Sequence, residues 1–138
     1  MIILDTNVLS EPMRAFPDER MLDWLETQKE PLALTTISVG ELLTGVRLLP
    51  AGRRRESLNQ AIESVIAAHP DSILAYDESA ARSYARLMEI NQAQGRQMSV
   101  EDGMIAAICI SHGATLATRN VKDFKHLDIP LIDPWTAN

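Results

Sequence analysis

The sequence predicts an α/β fold, a parallel sheet of four or five strands flanked by helices. Three observations predict it. Short apolar runs alternate along the chain with longer segments whose apolar residues recur at helical spacing. Strands separated by helices pair in parallel, because the crossover is long enough to carry the chain back to the same edge. The length, 138 residues of which 46% are hydrophobic, suits one domain, spanning 1–138, around one core.

The elements follow in order. Ile2–Leu4 is a buried strand, and a short turn follows it, with Pro12 and Pro17 bounding a loop. Asp18–Lys29 carries Met21, Leu22, Trp24 and Leu25 on one helical face. Leu32–Thr35 is the second strand. Ser38–Leu49 is a helix ended by Pro50 and Gly52, and Arg53–His69 is another, with Leu58, Ala61, Ile62, Val65 and Ile66 on one side. Ser72–Ala75 is the third strand. Asp77 caps a helix that runs through Gln94 and stops at Gly95. Ser99–His112 is the most apolar helix and lies against the sheet; Gly113 ends it. Ala114–Ala117 is the fourth strand, Asn120–Lys125 one or two helical turns, and Leu131–Ile132 a fifth strand at an edge.

Composition narrows the function. Aromatic residues are only 4%, so the core is Leu, Ile, Val, Ala and Met. A net charge of −6 argues against a strongly basic, non-specific nucleic-acid binder. It leaves open a nuclease that meets phosphate through a metal. The single cysteine, Cys109, sits in an apolar helix and reads as core; it permits no intrachain disulfide. No apolar run approaches the ~20 residues of a membrane span, and no signal-peptide pattern opens the chain, so a cytoplasmic protein with no membrane partner is expected.

Four acids stand in comparable places. Asp5 closes the first strand and is followed by Thr6-Asn7. Glu41, Asp102 and Asp123 fall at the starts of helices, two of which follow strand-like runs. In an open α/β sheet the loops after strands gather at one edge, so acids far apart in sequence can meet there. A plain structural reading competes. Ser38-Val39-Gly40-Glu41, Ser99-Val100-Glu101-Asp102 and Asn120-Val121-Lys122-Asp123 all have capping-box spacing, and an acid there also gains from the helix dipole. Asp5 is the acid least explained by capping, though it could cap a turn at Asn7–Glu11. The two readings are compatible, because a helix start holds a carboxylate still and favours its ionised form.

A group of carboxylates has one common chemical use, holding Mg²⁺ or a similar ion for phosphodiester hydrolysis. Other chemistries fit less well. His69, His112 and His126 are scattered without zinc spacing, and neither GxGxxG nor GxxxxGK[ST] occurs. For phosphate contact the candidates are Arg119 and Lys122, beside the proposed site, and the Arg53-Arg54-Arg55 stretch with Arg47, which reads equally as a solvated helix start.

Taken together, strand–Asp5-Thr6-Asn7, Glu41-Leu42-Leu43-Thr44-Gly45, Asp102-Gly103-Met104-Ile105-Ala106-Ala107 and Leu116-Ala117-Thr118-Arg119-Asn120-Val121-Lys122-Asp123-Phe124 resemble the PIN domain. The likeness is to the VapC-type toxins of bacterial toxin–antitoxin pairs, and Asp133-Pro134-Trp135 is similar to the FitB-like branch. The resemblance implies a PIN-like α/β/α sandwich and a Mg²⁺- or Mn²⁺-dependent endoribonuclease that cuts structured RNA such as tRNA. It implies a homodimer, a VapB-type antitoxin that occludes the site, and operator DNA bound only through that antitoxin. By matched position, Asp5, Glu41 and Asp102 would be metal ligands, with Asn7 and Thr118 as polar support. Relatives often carry an acid where this chain has Asn120. Asp123 is then the expected fourth carboxylate and Asn120 the cap of its helix. A PIN-like binding or regulatory module with little or no catalysis is the alternative, and the presence of Asp5, Glu41 and Asp102 favours activity.

Overall fold

The computed structural model describes residues 1–137. Five strands form one sheet: β1 (Ile2–Leu4), β2 (Leu32–Thr35), β3 (Ile73–Leu74), β4 (Thr115–Ala117) and β5 (Leu131–Ile132). Their order is β3-β2-β1-β4-β5 and every pairing is parallel. The expected parallel sheet is present, with Leu131–Ile132 as its fifth, edge strand.

Alternation along the strands sorts side chains to two faces. Ile3, Ala33 and Leu116 join one apolar cluster, with half-buried Leu74 and Leu131 packed against it. Ile2, Leu4, Leu34 and Ala117 join the other, with half-buried Ile73 and Ile132. Helices cover both faces. α1 (Thr6–Ser10), α2 (Glu19–Thr27), α3 (Thr36–Arg47) and α4 (Arg53–Ala68) supply the second cluster. α5 (Glu78–Ala93), α6 (Val100–His112) and α7 (Val121–Phe124) supply the first. Burial on both faces explains why the strands are nearly all apolar rather than alternating with polar residues. The result is the α/β/α sandwich.

α6 is the deepest helix: Ile105, Ala106, Ala107, Ile108 and Cys109 are all buried. A side chain at Gly103 would come within 2.9 Å of Tyr84 Cε2, so the missing Cβ is what lets α6 lie this close to α5. Gly113 closes α6 in the left-handed conformation, φ 60°, which favours glycine.

Two local departures from expectation matter for the site. The segment after β1 is helical, α1 followed by a 3-10 turn over Glu11–Met13, rather than a turn and loop. Burial of Val8 and Leu9 holds this short helix. α3 begins at Thr36, because Thr35 at the end of β2 accepts the Ser38 amide and starts the helix before Ser38 can. Other ends differ by a residue or two, the usual fraying of helix and strand termini. The α2 face carrying Met21 and Trp24 is buried in the core.

Strand order reverses direction between β1 and β4. The crevice outside the carboxyl ends of those two strands is where an open α/β sheet builds a site.

Candidate active site

Asp5 stands at that crevice, on the end of β1. Its backbone N–H donates to the Ala117 carbonyl on β4, 3.0 Å away, so the site sits on a continuous ladder. Its Oδ1 accepts the Thr6 amide at 2.7 Å and its Oδ2 accepts the Thr118 hydroxyl at 2.8 Å. Asp5 is therefore the N-cap of α1, which corrects its standing as the acid least explained by capping; the helix it caps was too short to leave a periodic pattern. Only 5% of Asp5 is exposed. Burial raises its pKa, and the bonds from Thr118 and Thr6 offset part of the rise.

Thr118, fully buried after β4, serves twice. It donates to Asp5 and accepts the Asn120 amide at 3.1 Å. Asn120 occupies the N-cap position of α7 but its side chain makes no capping bond, contrary to expectation. The Asn120 backbone is instead tied inward to Thr118. Asp123 is exposed on α7, with its amide on the Asn120 carbonyl at 3.0 Å.

Glu41 lies in the second turn of α3, because the helix starts earlier than the Ser38 cap predicted. Its capping-box reading is thereby removed. Its Oε1 accepts the Thr6 hydroxyl at 2.8 Å, and that hydroxyl also lies 2.8 Å from Ser38 Oγ. Thr6 and Ser38 thus join α1 to α3 beside Asp5. Sequence reasoning missed both; a hydroxyl directly after the strand-end carboxylate was the available signal.

Asp102 sits in the first turn of α6, where Ser99 Oγ caps its amide at 3.1 Å as expected. Burial raises its pKa, and the charge of Asp5 raises it further. A side-chain bond from the Ser99 hydroxyl to the carboxyl opposes the rise, and Glu41 and Asp123 add to it. All three other acids thus act on Asp102 at once, although they come from separate segments of chain. Among the described residues none of the four is in an ion pair. Beneath them, burial and then the Asp5 charge push the Cys109 thiol up to about 12, so it is core and no nucleophile.

The donor set is oxygen-rich, negative and without a cationic side chain. Among the described residues no three acidic, His or Cys side chains are drawn together as a ready cage. Mg²⁺ does not need one: it takes one or two carboxylates and completes its shell with water and substrate phosphate. The residues present fit such an ion.

The remaining candidates lie around this centre. Asn7 is exposed on α1 and Lys122 exposed on α7. Arg119 carries its guanidinium over the Trp135 ring, 4.9 Å from the centroid. Nearby, buried Glu11 accepts Arg14 Nη1 at 3.1 Å and the Asp18 amide at 3.0 Å, closing the loop between α1 and α2. Burial pushes the Glu11 carboxyl up, and the bonds from Asp18, Arg14 and Trp135 outweigh it and hold it low. A groove of about 930 Å³ runs between that loop, α3 and α4. Met13, Phe16, Leu42 and Leu49 line it, Arg14 and Arg54 edge it, and Thr6 and Glu41 form one end.

Comparison with known proteins agrees with this architecture. Residues 2–130 match the family described as PIN domain. The VapC ribonuclease Y4jK of Sinorhizobium fredii is 40% identical over 98% of both chains. Toxin FitB of Neisseria gonorrhoeae is 38% identical over 98% of this chain and 99% of its own. The crystal structure of FitAcB from Neisseria gonorrhoeae superposes with a TM-score of 0.93 at 37% identity, covering 99% of this chain and 100% of that one.

Proposed function

This chain belongs to the PIN-domain family, and from that premise we propose that it is the toxin ribonuclease of a toxin–antitoxin pair, a divalent-metal-dependent endoribonuclease acting on structured RNA such as tRNA. The observation that carries the reading is buried Asp5 at the switch point of the sheet, tied to Thr118 and linked through Thr6 to Glu41, with the charges of Asp5, Glu41 and Asp123 all raising the pKa of Asp102. Among the described residues none of these acids is in an ion pair.

Asp5, Asp102 and Glu41 would hold Mg²⁺ or Mn²⁺, with Asp123 the fourth candidate. When bound, such an ion lowers the pKa of a coordinated water and offsets charge on the scissile phosphate. The protein's own groups supply position. Thr118 and the Thr6 amide fix both oxygens of Asp5. The Thr6 hydroxyl steadies Glu41. Ser99 anchors the turn that carries Asp102. Asn7 and Asn120 offer neutral oxygen and amide groups at the rim. Arg119 and Lys122 supply positive charge for the RNA backbone. Aromatic side chains are too sparse for a stacking platform, which favours recognition by RNA shape.

The groove beside Glu41 fits a VapB-type antitoxin segment with an apolar face, whose seating would cover the acids. Operator DNA would be bound only through that antitoxin. A homodimer and a cytoplasmic location complete the reading. No helix among the described residues is long and apolar enough to cross a membrane.

The test is incubation of antitoxin-free protein with RNA in Mg²⁺ or Mn²⁺, with and without chelator. Cleavage that chelator stops, and that Asp5→Asn and Asp102→Asn each abolish, is expected. Equal cutting by both variants and the parent would overturn the metal-site reading. No cutting under any condition would favour a binding module.

A further inference from the structure

Arg119 is a cation placed without an anion. Among the described residues it has no carboxylate partner. Its guanidinium lies 4.9 Å from the centroid of the Trp135 ring. Arg14 is the contrast, with its Nη1 paired to the Glu11 carboxylate. A cation–π contact uses the charge of a guanidinium and leaves its N–H donors available. Those donors match two phosphate oxygens at once.

Trp135 is itself held. Its amide donates to Asp133 Oδ1 at 2.9 Å, Pro134 before it is buried, and its side chain packs on the second apolar cluster. Arg119 directly follows Thr118, which bonds Asp5, and precedes Asn120, whose amide returns to Thr118. The backbone on both sides of Arg119 is therefore tied to the acidic centre, while its guanidinium lies over the ring.

We propose that Trp135 is a positioning residue that holds the Arg119 guanidinium, donors free, to receive an RNA phosphate beside the acidic centre. This rests on the ribonuclease reading above, and gives the segment Asp133-Pro134-Trp135 a task in substrate binding.

The experiment is steady-state cleavage of a bulk tRNA preparation in Mn²⁺ across a KCl series. Parent, Arg119→Ala, Trp135→Leu, Trp135→Phe and the double variant Arg119→Ala/Trp135→Leu are compared. Loss of the phosphate contact in Arg119→Ala should raise KM about tenfold. It should also reduce the slope of log KM against log salt by ~0.7 to 0.9. Trp135→Leu, which keeps bulk without a π face, should raise KM about fivefold with kcat within about twofold of the parent. Trp135→Phe should restore the parental KM, and the double variant should be no worse than Arg119→Ala. If Trp135→Leu does not fold, Trp135→Met replaces it. The Arg119 Nε–H resonance gives the same comparison without substrate, ring-shifted in the parent and Trp135→Phe only. Equal KM for the Leu and Phe variants, or losses that add in the double variant, would overturn the inference while the ribonuclease reading stands. An unchanged KM and slope in Arg119→Ala would remove the phosphate contact altogether. A parent that cuts no tRNA would remove the ribonuclease reading as well.

Discussion

At Asp102 burial and like charge both favour the protonated acid, and the Ser99 side-chain bond to its carboxyl does not overcome them. Asp5 is raised too, chiefly by burial. The folded chain thus keeps protons that the unfolded chain, titrating near 3.8, has released. Stability from these two groups is present at low pH and falls as pH rises from 3.8 through their folded values. Asp102→Asn should therefore make the metal-free protein about 1 kcal/mol more stable at neutral pH while abolishing cleavage, a trade common at active sites. Urea unfolding at pH 7 and near pH 4 checks it, the gain shrinking at the lower pH. Thr118 is the opposite case, a neutral side chain bonded on both sides. Thr118→Val leaves Asp5 Oδ2 and the Asn120 amide without a partner and should cost about 1–3 kcal/mol. It should also weaken Mn²⁺ affinity by roughly 10–100-fold, read by titration.

The helices differ in how plainly the sequence announces them, and the difference is physical. α6 is signalled locally at both ends, by Ser99 and by Gly113, with buried residues between. α1 has five residues, too few for a helical period to appear, and depends on buried Val8 and Leu9 for its place. The start of α3 is hidden because its cap, Thr35, is also the last residue of a strand. The site follows the same rule. Asp5 and Asp102 mark the end of an apolar run and the start of a helix. The Thr6–Glu41 bond joins residues 35 positions apart and leaves no local trace. Packing between α5 and α6 offers a test at this scale. Gly103→Ala gains helix propensity of about 1 kcal/mol. It also drives Tyr84 aside, a ring already set edge-on to Tyr76 at 82°. Overpacking of about 1–3 kcal/mol then leaves the variant roughly 1 kcal/mol less stable in urea unfolding. Cleavage should fall with it, since Asp102 adjoins the displaced turn.

For the whole molecule, a bound ion acts on folding by mass action. The candidate ligands come from four segments that meet only in the native state, so an ion that binds them stabilises that state alone. Mn²⁺ at about 100 times its Kd should add about 2.7 kcal/mol. Differential scanning calorimetry should show the rise in Tm for the parent, its reversal by chelator, and its absence in Asp5→Asn. A rise that persists in Asp5→Asn would place the ion elsewhere.

The central position of β1 has a further consequence during synthesis. Asp5 takes its buried bond from Thr118, 113 residues later in the chain, and β1 lacks a neighbour on that side until β4 has left the ribosome. Pairing over such a separation is slow to form. A nascent chain therefore carries Asp5 with no pocket to place it in until Thr118 has been made. Whatever chemistry these acids perform is withheld until β4 and Thr118 have emerged to complete the pocket.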